Sequence, residues 1–329
     1  MPILIKMNEN EISKIIENMD HSQLLGEGTF GKVYKEKNYV IKEINFIRDS
    51  NNENNIEYQS EIFEEEVKTW KELTNINKLK PFLPEFVGSE NMGDKGYIIQ
   101  KYEPVVDMFD YLERYKTQKL PYKDGSELFN KILEGFWLLQ KHNFIHRDIK
   151  PGNILIRTGE HNKNIPIIID FGLACKLPCN DTNSVGTPFY RPSNFINKTN
   201  RNKGYSRVRN FPVTKKAHQN GRIGWLGCIS CRRGTQAKRR VRIKEPENTV
   251  NSFYSGKTDD FAVALVLEEL FDIIDWKDND IYKDRAKDII TVLKHRIVPH
   301  LVASVARNKQ RKNLIKSLSN GTFRLNQRS

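Results

Sequence analysis

The chain of 329 residues is 38% hydrophobic and 29% charged, long enough to bury a full core as one two-lobed domain or two small ones. No apolar run reaches the roughly 18 residues of a membrane span, and the opening MPILIKMNENE lacks the apolar core of a secretory signal, so no membrane partner is expected and the setting is read as intracellular: cytoplasmic, nuclear or within a host cell. The formal net charge of +13 is unevenly placed, because residues 201–244 hold 14 Lys/Arg and residues 289–329 hold nine, with no Asp or Glu in either stretch, which leaves the rest of the chain acidic.

Residues 1–20 read as a lead-in with an amphipathic helix, Ile12, Ile15, Ile16 and Met19 sharing one face; a free tail is the alternative. Next, LLGEGTFGKVYK sets Gly26, Gly28 and Gly31 in a G-x-G-x-x-G pattern. That pattern also opens dinucleotide-binding folds, where a helix follows. Here the β-type run KVYKEKNYVIKEI follows, with a turn at Asn38, so a hairpin is expected. Glycines at its tip would let backbone N–H groups approach phosphates without Cβ interference. Lys42 stands in YVIKEI with apolar neighbours on both sides, so its ammonium should point inward and need a partner. After an Asn-rich loop, the helical run SEIFEEEVKTWKEL supplies one. Ile62, Glu66, Trp70 and Leu73 fall on one helical stripe, which turns Glu66 inward and leaves Glu64 and Glu65 elsewhere. Further on, SELFNKILEGFWLLQKHNF reads as a long buried helix capped by Ser126, with Phe129, Ile132, Leu133, Phe136 and Leu139 in register.

The run HRDIKPGNIL, residues 146–155, sets Asp148, Lys150 and Asn153 between apolar segments. A carboxylate, an ammonium and a carboxamide are what a phosphoryl transfer needs: an acceptor for a hydroxyl proton, a cation near the moving phosphate, and a metal ligand. Beyond it, the apolar run IPIIID ends in Asp170-Phe171-Gly172. With the glycine-rich turn and the Lys42 strand upstream, in this order from about residue 22 to 193 and more weakly at 259–270, the chain resembles the eukaryotic-type serine/threonine protein kinases.

The resemblance implies an α+β, two-lobed protein-kinase-like fold: a small lobe over 21–102, with an antiparallel β-sheet and one helix, and a mostly helical large lobe over 103–193 and 258–329. ATP and Mg²⁺ would bind between the lobes, and the substrate would be a protein Ser/Thr hydroxyl. On the matching positions, Gly26, Gly28 and Gly31 would cover the phosphates, Val33 and Leu155 would enclose the adenine, and Lys42, paired with Glu66, would meet the α- and β-phosphates. In GYIIQKYEPVVDMFDYL, Gln100 takes the gatekeeper position unless the register slips. The backbone from Lys101 to Tyr102 would hydrogen-bond adenine, and Asp107 would meet the ribose. Asp148 would be the base, Lys150 would neutralise charge on the γ-phosphoryl, and Asn153 with Asp170 would hold Mg²⁺. His146 is expected as a structural residue against Phe171. Arg147 is expected to meet a phosphate on the activation loop, with Thr182 and Ser184 as candidate sites and Asp181 as a partial substitute. A lysine two residues after the base, and Thr187 in Gly186-Thr187-Pro188, are the serine/threonine form. Small-molecule kinases resembling aminoglycoside kinases usually lack that lysine.

The pattern departs from the family in four places. Val40 stands where alanine is usual beside the adenine site, and Arg191-Pro192-Ser193 stands where Ala-Pro-Glu is expected. Residues 194–257 intervene before GKTDDFAVALVLEEL, where Asp259, or Asp260 with one residue of slip, would brace the catalytic loop. After Leu270 the large lobe looks reduced, with helices expected near 281–294 and 309–318 and a basic tail that is either solvated or anion-binding. The basic segment reads as a solvated insert, as a docking arm for an acidic partner or nucleic acid, as a substrate loop faintly similar to that of casein-kinase-1-like kinases, or as an out-of-frame stretch. The alternative to an enzyme is therefore a catalytically weak kinase-like module that binds through residues 201–244. Four cysteines, Cys175, Cys179, Cys228 and Cys231, are too few for a disulfide framework and agree with a reducing compartment; their spacing admits a four-thiolate zinc site.

Overall fold

The computed structural model describes residues 9–28, 31–46, 55–158, 164–179, 185–192, 256–295 and 309–325. In the small lobe β1 (Leu24–Gly28), β2 (Gly31–Glu36), β3 (Tyr39–Asn45), β4 (Phe86–Asn91) and β5 (Lys95–Lys101) form an antiparallel sheet in the order β1-β2-β3-β5-β4. Period-two alternation sorts its two faces. Ile41 and Ile99, partners across β3 and β5, face α1 (Glu9–Glu17), where Ile12, Ile16, Met19, Tyr34 and Tyr97 close a small core. The next pair, Lys42 and Ile98, faces the opposite way, toward α2 (Asn55–Thr74), whose Phe63, Val67 and Trp70 join Ile98 in the main core. The lead-in helix is thus a layer of the lobe, and its buried Ile12 and Ile16 each contribute about 1.5–3 kcal/mol of transfer free energy.

The large lobe is built on α4 (Tyr122–Lys141) and α5 (Gly256–Ile273), with α3 (Met108–Arg114) packed on α5. The expected cap at Ser126 is corrected. Pro121 holds the N-cap position, and Ser126 lies a turn inside, its Oγ donating to the Lys123 carbonyl at 3.1 Å. Proline's fixed φ suits the entry to a helix, and the polar run after it carries no apolar period to read. In α5, Ala262, Val263, Ala264, Val266, Leu267 and Leu270 are all buried, the mark of a helix enclosed on most sides. Against it lies α6 (Asp280–His295).

The C-terminal stretch buries apolar side chains among its basic ones. After α7 (Lys309–Ser319), Leu318, Phe323 and Leu325 are buried, Leu325 N donates to Asn130 Oδ1 at 2.7 Å, and the Trp137 indole donates to the Ser319 carbonyl at 3.3 Å. Three apolar side chains inside a basic run decide its place, and a charge count hides them. Short strands complete the frame. β6 (Val105–Asp107), β8 (Ile154–Arg157) and β9 (Pro166–Ile168) form one sheet; β7 (Phe144–Ile145) and β10 (Cys175–Lys176) form another. Among the described residues no helix is long and apolar enough to cross a membrane.

Candidate active site

Alternation along β3 and the inward stripe of α2 bring a cation and two carboxylates together. Lys42 Nζ lies 2.7 Å from Glu66 Oε1 and 3.1 Å from Asp170 Oδ1. Burial works against the ammonium, but the two carboxylates outweigh it and raise its pKa above the ordinary lysine value. Burial likewise acts to raise Asp170, and Lys42 more than offsets it, holding that carboxyl below the usual range. Asp170 itself has φ 65°, a left-handed conformation that a short polar side chain tolerates.

Asp148, at the end of the β7 connection, is held on both oxygens. Oδ1 accepts from Thr187 N and Thr187 Oγ1, each at 2.6 Å. Oδ2 accepts from Lys150 Nζ at 2.7 Å and from Asn153 Nδ2 at 3.1 Å. Lys150 also donates to Thr187 Oγ1 at 3.1 Å, which ties the loop around residues 146–153 to the segment after residue 185. Gly186 permits that approach: its φ is 90°, and a Cβ there would sit 2.1 Å from the Arg147 carbonyl oxygen. Thr187 therefore sits beside Asp148 and Lys150.

The loop is braced from below by α5. Asp259 accepts from His146 N at 2.6 Å and from Arg147 N at 3.1 Å. Asp260, the alternative, accepts instead from Gln140 Nε2 at 2.8 Å. Burial pushes Asp259 up to about 6, against the pull of His146 and the two backbone donors. The His146 ring packs tilted against Phe171, with centroids 5.3 Å apart, and its Nε2 lies 2.9 Å from the Ile169 carbonyl, a structural setting. Arg147 Nε donates to the Leu173 carbonyl. Asp181, Thr182 and Ser184 lie outside the described residues, as do Ser193 and the basic segment 201–244.

Val40, Gln100, Tyr102 and Leu155 line one cleft where the small lobe's sheet meets β8, with Val33 buried on β2 opposite Lys42. Gly26 pairs with Val33, and Gly28 with Gly31, at the tip of β1 and β2. Lys101 N donates to the Glu85 carbonyl at 2.9 Å and Tyr102 N to the Asn38 carbonyl at 2.7 Å, so neither amide serves a purine while these bonds hold. Both acceptors flank the neighbouring strands at the end of β5. Asp107 is buried and caps α3, accepting from Asp110 N at 2.9 Å, and burial raises its pKa to about 6. Asn153 and Asp170 offer a carboxamide and a carboxylate oxygen, hard donors that suit Mg²⁺, which keeps waters and phosphates as its other ligands. Among the described residues no group of three or more His, Cys, Asp or Glu forms a metal cluster.

Two features were not legible in the sequence. Tyr190 OH donates to Glu269 Oε1 of α5 at 3.0 Å, tying residues 185–192 to the large lobe. Cys175 and Cys179 are joined by a disulfide, which corrects the four-thiolate zinc site, since these two sulfurs are bonded to each other. Cys228 and Cys231 lie outside the described residues.

A family model described as a protein kinase domain matches residues 19–208. Over 187 residues the chain is 29% identical to serine/threonine-protein kinase pakG of Dictyostelium discoideum, covering 54% of this chain and 14% of that protein. It is 30% identical over 190 residues to mitogen-activated protein kinase kinase kinase 1 of Arabidopsis thaliana, covering 56% of this chain and 29% of that protein. It is also 30% identical over 176 residues to calcium-dependent protein kinase 4 of Plasmodium berghei (strain Anka), covering 51% of this chain and 31% of that protein. The chain thus spans less than a third of the length of each of these relatives.

Proposed function

The chain belongs to the protein kinase family, and from that premise we propose that it transfers the γ-phosphoryl group of ATP to serine and threonine hydroxyls of proteins. The observation that carries this reading is the setting of Asp148, whose carboxylate is oriented by Lys150, Asn153 and Thr187 at 2.6–3.1 Å. An incoming hydroxyl would replace one of those donors and give its proton to Asp148 as its oxygen bonds to phosphorus and ADP leaves. Lys150 would hold the transferring oxygens, and Lys42, kept charged by Glu66 and Asp170, would orient the α- and β-phosphates. Mg²⁺ on Asn153 and Asp170 would supply charge neutralisation at the β- and γ-phosphates. The catalytic work of this chain is then positioning and electrostatics, with no covalent intermediate.

The serine/threonine assignment is supported by Lys150 and its bond to Thr187, and by the similarity to serine/threonine-protein kinase pakG. The test is incubation of purified protein with Mg²⁺-ATP and a mixed protein substrate, beside Asp148→Asn, with phosphorylated residues mapped by mass spectrometry. Phosphoserine or phosphothreonine that vanishes in the variant is the expected result. Equal silence of both proteins, with no rise in melting temperature on adding ATP, would overturn the reading in favour of a binding module.

A further inference from the structure

The disulfide between Cys175 and Cys179 lies beside β7, the strand that leads to Asp148. Cys175 pairs across β10 and β7 with Ile145, the residue that leads directly into His146, Arg147 and Asp148. Cys179 is buried against the same Ile145, with Leu177 and Val185 beside it. Between the two cysteines, Leu177 N donates to the Asn143 carbonyl at 2.7 Å, and Lys176 Nζ reaches Glu72 of α2 at 2.7 Å. The bridged stretch therefore runs along the strand that delivers the base and also contacts the helix that carries Glu66. On the far side of residues 180–184, Val185 returns to the same cluster and Thr187 bonds Asp148. The bridge fixes one end of a short stretch whose other end is held on the catalytic carboxylate, and Thr182 and Ser184 lie between.

A bridge across five residues restrains the unfolded chain less than a long loop does, so its effect is local geometry more than global stability. In a reducing compartment such a bond is transient and switch-like rather than structural. We propose that Cys175 and Cys179 are a redox modification site: a dithiol–disulfide couple that, when oxidised, holds residues 185–192 in the arrangement in which Thr187 engages Asp148 and Lys150, and, when reduced, releases it. Closing the bridge removes two protons and two electrons from the thiols. A small-molecule disulfide such as oxidised glutathione accepts both, through a mixed disulfide, and leaves as two thiols. The effect on phosphoryl transfer rests on the function proposed above; the bridge and its effect on local exchange do not.

The experiment equilibrates the full chain, with Cys228→Ser and Cys231→Ser to prevent exchange, in reduced and oxidised glutathione at several ratios, then alkylates free thiols. Trypsin cuts after Lys176, so the oxidised form gives two peptides joined by sulfur and the reduced form gives them apart. Amide exchange over 185–192 is expected to slow about ten-fold on oxidation. The KM for the protein substrate is expected to fall about 3- to 10-fold with that for ATP unchanged. Both differences should vanish in Cys175→Ser. Two alkylated cysteines at every ratio, or a bridge that leaves exchange over 185–192 unaltered, would overturn the inference. If neither redox state transfers phosphate, the kinase reading fails on its own, and the peptide and exchange results still decide this one.

Discussion

Replacing Glu66 by glutamine keeps the side chain's shape and an oxygen for Lys42 but removes the charge. At the Nζ–Oε1 separation of 2.7 Å, the attraction in an effective dielectric of about 20 is ~6 kcal/mol before desolvation is subtracted. Much of that is offset, because the carboxylate is only 4% exposed and burying its charge is costly, while Lys42 keeps Asp170 at 3.1 Å. What remains is the difference between a charge-assisted and a neutral hydrogen bond, about 1–2 kcal/mol. For a chain of this size that lowers the melting temperature by about 2–8 °C. The larger effect falls on transfer, since Lys42 then settles on Asp170, the carboxylate assigned to the metal. A drop in kcat/KM of about 10- to 100-fold is expected. Thermal melts with and without Mg²⁺-ATP, and initial rates across ATP concentrations, measure both. Glu65→Gln is the comparison: that carboxylate is 71% exposed, with Lys68 at 3.0 Å, and its loss should change neither quantity. Unaltered rates in Glu66→Gln, or equal losses in the two variants, would refute the reasoning.

Asp148→Asn should lower turnover by about 10²–10⁴-fold while the melting shift on adding Mg²⁺-ATP persists, because the amide keeps an acceptor for Lys150 or Thr187; a lost shift would mean that Asp148 serves nucleotide binding. Gly186→Ala places a Cβ against the Arg147 carbonyl at a φ of 90°, so a stability loss of about 1–3 kcal/mol in urea unfolding is expected, with a matching fall in activity. A melting curve unchanged from wild type would show that the segment can move aside. For Asp259 the folded pKa, about 6, lies above its ordinary value of 3.8, so the native state binds the proton more tightly than the unfolded chain does. Its contribution is fully present below the ordinary value and is lost as pH rises through about 6, by up to about 3 kcal/mol. Urea midpoints of wild type and Asp259→Asn should therefore converge or cross between pH 4 and 6.5; parallel pH profiles would remove the assignment. Tyr190→Phe, which deletes the bond to Glu269 at 3.0 Å, should cost about 1 kcal/mol and loosen amide protection over 185–192. Protection equal to wild type would show that other contacts hold that end.

What the sequence determined was local. Asp148, Lys150 and Asn153 stand within one short loop, so the chain itself brings them together, and the helical period alone turned Glu66 rather than Glu64 or Glu65 toward Lys42. The hairpin after the glycines and the inward face of α1 followed from periods of two and of about 3.6 residues. What only the tertiary structure decided depended on register between distant segments. Asp259, not Asp260, braces the loop across a separation of 113 residues, and no local pattern distinguishes two adjacent aspartates at a helix start. The amides of Lys101 and Tyr102 are consumed by carbonyls of Glu85 and Asn38, which depends on how strands cross. Cys175 meets Ile145 because β10 lies on β7, and Leu318, Phe323 and Leu325 are buried although their neighbours are basic. Spacing and period are written along one chain segment; a contact between two segments is set by the free energy of packing them together, which no single stretch of sequence carries.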